Sequence, residues 1–438
     1  MNQPKTVLIH GGRVIDPASG YDQKADVALA GNAVLAIGNI APDFQPELTV
    51  DATGCLVLPG LVDLAVRLRE PGYEHARMLE SEMSAAVAGG ITSLVCQPDT
   101  DPVLDESGLV EMLRFRAEKL QQARVYPLGA LTRGLQGTTL TEMVELTDAG
   151  CVAFSQAEVA LSNTQILQRA FQYASTFGYA VWLRPQDAFL GQGVAASGPL
   201  AMRMGLSGVP VIAETIALHT IFELMGATGA RVHLCRISSA AGVELVRQAK
   251  ARGLALTCDV SINSLHLTDT DMGFFDSRAR LNPPLRQQRD RDALRAGLAD
   301  GTIDALVSDH TPVDDDAKML PFAQSEPGAT GLELLLSLAY KWHLDNGVPL
   351  TRALSVVTDG PARLLGKALG SRQGRTGHLA VGGLGDVCVF DPQVHWTVRA
   401  EALVSQGKHT PFSGYELPGR VRCTIVGGNL VHRAGSTG

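Results

Sequence analysis

The chain has 438 residues, 45% hydrophobic and 19% charged, with a formal net charge of −8. No run of 18 uninterrupted apolar residues occurs, so there is no simple membrane span, and the acidic balance argues against a general nucleic-acid surface. Seven scattered cysteines (Cys55, Cys96, Cys151, Cys235, Cys258, Cys388 and Cys423), with no Cys-x-x-Cys pair, read as reduced core thiols of a cytoplasmic protein and argue against a cysteine zinc site.

Met1–Asp16 alternates like a strand and lacks the apolar core and cleavage site of a signal peptide. Residues 4–54 continue as short strands, Thr6–His10, Arg13–Ile15, Ala25–Leu29 and Ala33–Ile37, broken at Gly11-Gly12 and Gly31-Asn32. Eight apolar runs follow: Leu61–Leu68, Ile91–Gln97, Arg124–Leu131, Cys151–Ser155, Ala180–Arg184, Arg231–Ile237, Leu254–Val260 and Ala305–Ser308. Most are followed by a helical stretch, such as Asn163–Phe177 and Ala240–Arg252. Alternating strand and helix predicts a parallel sheet, and eight repeats predict an α/β fold of the (β/α)8 TIM-type barrel class. A doubly wound open sheet is the rival, but no Gly-x-Gly-x-x-Gly follows an early strand. The C-terminal stretch turns β-rich again at Asp386–Phe390, Trp396–Val398 and Arg420–Val426, with a strong turn at Gly427-Gly428-Asn429. The expected organisation is a small β-sandwich made by residues 1–54 and 371–438, around a barrel spanning 55–370.

In such barrels chemistry sits at the C-terminal ends of the strands. Those ends read Ala65-Val66-Arg67-Leu68-Arg69, Gln97-Pro98-Asp99, Phe154-Ser155-Gln156, Trp182-Leu183-Arg184, Cys235-Arg236 and Ser308-Asp309-His310. Together with Pro59-Gly60-Leu61-Val62-Asp63, Leu68-Arg69-Glu70-Pro71-Gly72, Gly89-Gly90-Ile91-Thr92, Asn282-Pro283-Pro284-Leu285-Arg286 and Gly331-Leu332-Glu333, they closely resemble the dihydroorotase branch of the amidohydrolase superfamily over nearly the whole chain.

The resemblance implies zinc, held by a His-x-His pair on the first strand, a carboxylated lysine or aspartate on the fourth, histidines on the fifth and sixth, and an aspartate on the eighth. Carried over position by position, these fall on Ala65 and Arg67, near Gln156, on Arg184, on Arg236 and on Asp309. Only Asp309 is a ligand. No lysine occurs between Leu120 and Ala249 to replace the bridging group. Zinc needs lone pairs from imidazole, thiolate or carboxylate, and guanidinium has none to give. The expectation is therefore no zinc, no other cofactor and no catalytic residue. Removing a dication strands the Asp309 carboxylate, so at least one of Arg67, Arg184 and Arg236 is expected to pair with it.

Several neighbours have two readings. His233 precedes Arg236 by three residues, which on a strand means opposite faces, so it reads as a packing histidine. By the resemblance, Arg69 and the residues at Asp99 and Val313 hold the substrate carboxylate. Of these Arg69 remains, either structural or a residual anion site together with Asn282, which otherwise shapes its loop. Asp314-Asp315-Asp316-Ala317-Lys318 reads as a helix start rather than a calcium loop.

The resemblance further implies a function. Non-catalytic dihydroorotase-like chains occur with aspartate transcarbamoylase in some bacteria, and this sequence is similar to them. The expected role is a structural subunit in pyrimidine biosynthesis that binds the aspartate transcarbamoylase catalytic chain, associates with copies of itself, and uses neither nucleic acid nor membrane. One alternative is a divergent cyclic amidohydrolase using one metal or none, with Asp309 and His310 moving a proton. Another is a sensor whose arginines grip a carboxylate or phosphate at the barrel mouth.

Overall fold

Eight parallel strands run in chain order round a barrel in the computed structural model, which describes residues 6–75 and 77–435. They are Leu61–Val66, Ile91–Cys96, Arg124–Ala130, Ala153–Ser155, Ala180–Leu183, Arg231–Leu234, Leu256–Ser261 and Ala305–Val307. The last strand meets the first beyond its C-terminal end, where the His310 N–H donates to the Ala65 carbonyl (3.0 Å) and the Arg67 N–H to the His310 carbonyl (2.9 Å). At the opposite end the Val356 and Val357 carbonyls accept from Leu306 and Val62, each at 2.9 Å, and complete the closure.

These strands read as nearly continuous apolar runs because both faces are buried. Val62, Leu64, Val95, Leu128, Ala153 and Trp182 pack inside the barrel, whereas Leu61, Leu94, Phe154 and Val181 pack outward against helices. Thr164–Phe177 shows why the intervening segments are helical. Asn163 accepts from the Gln165 and Ile166 N–H groups at its start, Gly178 ends it at φ 73°, and Ile166, Leu167, Ala170, Phe171 and Ala174 line the buried side.

The two ends of the chain form the second body, a four-stranded sheet facing a six-stranded one. Val7, Ile9, Val27, Leu29, Val57, Val389 and Ile425 fill the space between them. The strands Tyr21–Lys24 and Leu48–Asp51 are additions to the sequence reading, hidden there by their mainly polar residues. The boundary also shifts. Leu56–Pro59 pairs with Val387–Phe390 and Arg13–Val14 in the six-stranded sheet, so the barrel begins at Leu61 rather than at residue 55.

Candidate functional site at the barrel mouth

Four residues at the strand ends other than glycine adopt left-handed backbone: Arg69 (φ 61°), Ala157 (φ 50°), Arg236 (φ 57°) and Asp309 (φ 53°). Such conformations cost on the order of 1–3 kcal/mol each and concentrate at functional sites. They break the alternation of the strands and aim neighbouring side chains over the barrel mouth.

The side chains gathered there are mostly charged. Arg67 donates from Nε to Asp99 (2.8 Å), from Nη1 to the Thr311 hydroxyl (3.0 Å) and from Nη2 to Glu158 (2.8 Å). Arg236 donates from Nη1 to Asp309 (3.0 Å) and from Nη2 to Glu158. Arg184 stands with Nε 2.7 Å from Glu158 Oε2, which also accepts from Asn282 Nδ2 at 3.0 Å. Arg236 thus forms the expected pair with Asp309, but the centre of the cluster is a residue the sequence reading does not name.

Glu158 receives all three arginines. Burial alone would raise its carboxyl; Arg236, Arg184 and Arg67 overcome that and hold it well below the usual carboxylate range. Asp309 goes the other way: burial raises it, and Glu158's charge adds to that against the pull of Arg236 and Arg67. The position matched to the fourth-strand ligand, Gln156, is turned away from the mouth. Its amide accepts from the Thr132 hydroxyl (3.0 Å) and donates to the Leu135 carbonyl (2.8 Å). The left-handed turn at Ala157 then brings Glu158 inward. One signal in the sequence points to it, since Glu158 is the sole acidic residue between Gly150 and Asn163.

The other candidates take plain positions. Ala65 packs inside the barrel and contributes a methyl group. Arg69 donates to the Pro312 carbonyl (2.8 Å), lies 3.4 Å from Glu326 and stacks over Tyr73, and it also borders the cavity at the mouth. Asn282 holds the network from both ends, its amide on Glu158 and its carbonyl accepting from Arg236 (3.2 Å). Asp315 begins a short helix and binds Arg77 (2.8 Å) and His409 (2.9 Å). A cavity of about 150 Å³ remains beside the cluster, bounded by Arg67, Arg69, Arg236, Asn282, Asp309 and Glu326.

Two histidine readings need correction. His310 does not work beside Asp309. It is fully buried behind the strand, where Nδ1 accepts from the Gly331 N–H (3.2 Å) and Nε2 donates to Glu82 (2.7 Å), which also accepts from the Ser405 hydroxyl (2.6 Å). Asp309 and His310 therefore have separate partners, Arg236 for the one and Glu82 for the other. His233 is a packed residue, yet it does not face away from the barrel. The strand ends at Leu234 and Arg236 is left-handed, so counting by twos fails. His233 lies inside, against Trp182 (ring centroids 4.5 Å apart), with Nε2 on Asp259 (2.8 Å) and Nδ1 on Thr257 (2.9 Å).

These residues do not suit zinc. Of the six positions that the resemblance assigns to zinc, one holds a methyl group (Ala65), three hold guanidinium groups, Gln156 is turned away and Asp309 is engaged by Arg236. The nearby carboxylates of Glu158 and Asp99 are also held by guanidinium groups. Among the described residues, one grouping has metal-ligand chemistry: His233, Cys235 and Asp259, with ligating atoms within 4.8 Å of one another. There Asp259 already accepts from the Arg236 N–H (2.7 Å) as well as from His233, and burial pushes the Cys235 thiol well above its usual range, so it stays protonated.

Comparison with known proteins agrees with this frame. A family profile described as "Dihydro-orotase-like" matches residues 54–241, and one described as "Amidohydrolase family" matches residues 210–431. The chain belongs to the dihydroorotase-like amidohydrolases. The "Dihydroorotase-like protein" of Pseudomonas aeruginosa is 45% identical over 98% of this chain and 99% of its own length. The "Dihydroorotase" of Citrifermentans bemidjiense is 39% identical over 98% of this chain and all of its own. In fold, the chain is similar to L-hydantoinase (dihydropyrimidinase) from Arthrobacter aurescens, with a TM-score of 0.88, 24% identity, and coverage of 98% of this chain and 97% of that one.

Proposed function

We propose that this dihydroorotase-like chain is non-catalytic and serves as an assembly subunit for the aspartate transcarbamoylase catalytic chain, in a complex where it also contacts copies of itself. One observation carries the non-catalytic part: Glu158 is clamped by Arg67, Arg184 and Arg236 where the family's fold would place zinc. Without a metal ion nothing lowers the pKa of an attacking water or polarises an amide carbonyl. Among the described residues, the two that could have replaced the metal's role as base are engaged elsewhere, Asp309 with Arg236 and His310 with Glu82. The partner is supported by the resemblance of this degenerate site to that of the non-catalytic chains found beside aspartate transcarbamoylase.

The same fold also supports a second reading, a cyclic amidohydrolase with an atypical site. What favours it is the intact frame, with its strained strand ends, and relatives near 39% identity that carry the name dihydroorotase. A single preparation separates the two. The purified chain is assayed for dihydroorotase turnover and metal content, then mixed with aspartate transcarbamoylase catalytic chain and resolved by size. The scaffold reading expects a joint complex, no turnover and no stoichiometric zinc. Turnover by the isolated chain with bound zinc would end it.

A further inference from the structure

The mouth carries a site of the opposite sign to a metal site. Three guanidinium groups converge on one carboxylate, and their side chains are only 5–6% exposed. We propose that this is a binding site for a small carboxylate, and that Glu158 is its built-in occupant. The inference deepens the reading above and shares with it the absence of zinc.

Charge and geometry both point this way. Arg67, Arg184 and Arg236 face Asp99, Glu158 and Asp309, so positive and negative groups balance. Taking Glu158 away leaves one surplus buried positive charge, which a monoanion neutralises. Guanidinium groups are suited to holding carboxylate oxygens through paired, charge-assisted hydrogen bonds. Glu158 enters from the loop after the fourth strand, and its side chain is 29% exposed while its three partners are nearly sealed. The occupant is therefore its most accessible member. The adjoining cavity of about 150 Å³ shares Arg67, Arg236 and Asn282 with Glu158, giving a small anion both a route and room. Acetate matches the atoms of glutamate beyond Cβ, which makes it the natural probe.

The test uses full-length Glu158→Ala. Thermal melting and titration calorimetry are run with sodium acetate against sodium chloride at equal ionic strength. The expected result is a lower melting temperature in chloride, a saturable recovery with acetate, and acetate binding at least 100-fold tighter than to the wild-type chain. Adding Arg184→Met should abolish that recovery. Should E158A fail to fold in chloride, refolding in acetate must restore soluble, cooperatively melting protein where equal chloride does not. Identical behaviour in the two salts, folded or unfolded, overturns the proposal while leaving the scaffold reading intact. Stoichiometric zinc in the wild-type chain removes both.

Discussion

Asp309 and His310 are neighbours in sequence and serve two different networks. Asp309 faces the mouth, where the partners are charged, three guanidinium groups against three carboxylates. His310 faces the seam behind the barrel, where Glu82 draws together His310, Ser405 and Ser81 from three separate segments. The mouth is held by cancellation of charge, the seam by directed hydrogen bonds. Cancellation tolerates losing both signs together; a directed bond tolerates losing neither partner.

Arg236→Met should break the mouth with the largest effect. It strands Asp309 and weakens the grip on Glu158, and breaking a buried pair this way costs about 3–5 kcal/mol. Urea denaturation measures it, and a second change, Asp309→Leu, should recover more than half of the loss. The seam should behave otherwise. Glu82→Ala leaves His310 and Ser405 without their acceptor, a loss of about 1–3 kcal/mol that no single change at His310 restores. If the two double-mutant cycles give equal coupling, the distinction between the networks fails.

Acid sharpens the contrast through a third location, where a buried group has little of either kind of support. His266 packs edge-on to Phe412, and neither ring nitrogen makes a full hydrogen bond among the described residues, the Leu338 backbone giving it only slight support. Burial, with repulsion from Arg295, pushes its pKa down to about 3. The unfolded chain binds that proton below about pH 6.5, so stability falls as the pH drops from about 6.5 towards 3, by roughly 2 kcal/mol at pH 5. His266→Phe should flatten that part of the pH–stability curve. Glu158 is shifted in the same direction but from a lower ordinary value, so its contribution is fully present above about pH 4.5 and is lost only in stronger acid. The smallest effect is expected at Arg69→Lys. Its ion pair with half-exposed Glu326 is worth about 0–1 kcal/mol, and melting should move by no more than that.

The barrel and the sandwich are legible in the sequence because burial of both strand faces leaves short apolar runs, and turn residues separate them. The residues at the positions that the resemblance assigns to ligands are legible too, since they need only residue identity. Glu158 is not. Matching stops at Gln156, and the left-handed turn at Ala157 that exchanges one for the other has no signature in an alanine. His233 fails for the same reason, because its strand ends two residues before Arg236 and period-two counting runs past the end. Leu56–Pro59 sits ambiguously between the two bodies because Leu56 and Leu58 belong to the barrel's apolar cluster and Val57 to the sandwich's.

That short strand has a mechanical consequence. It passes through Gly60 straight into the first barrel strand, at a point so tight that an added Cβ would sit 2.2 Å from the Thr92 side chain. With no slack between them, sandwich and barrel should tilt as one lever and melt in a single calorimetric transition. A load applied to either end would then arrive at the other undamped.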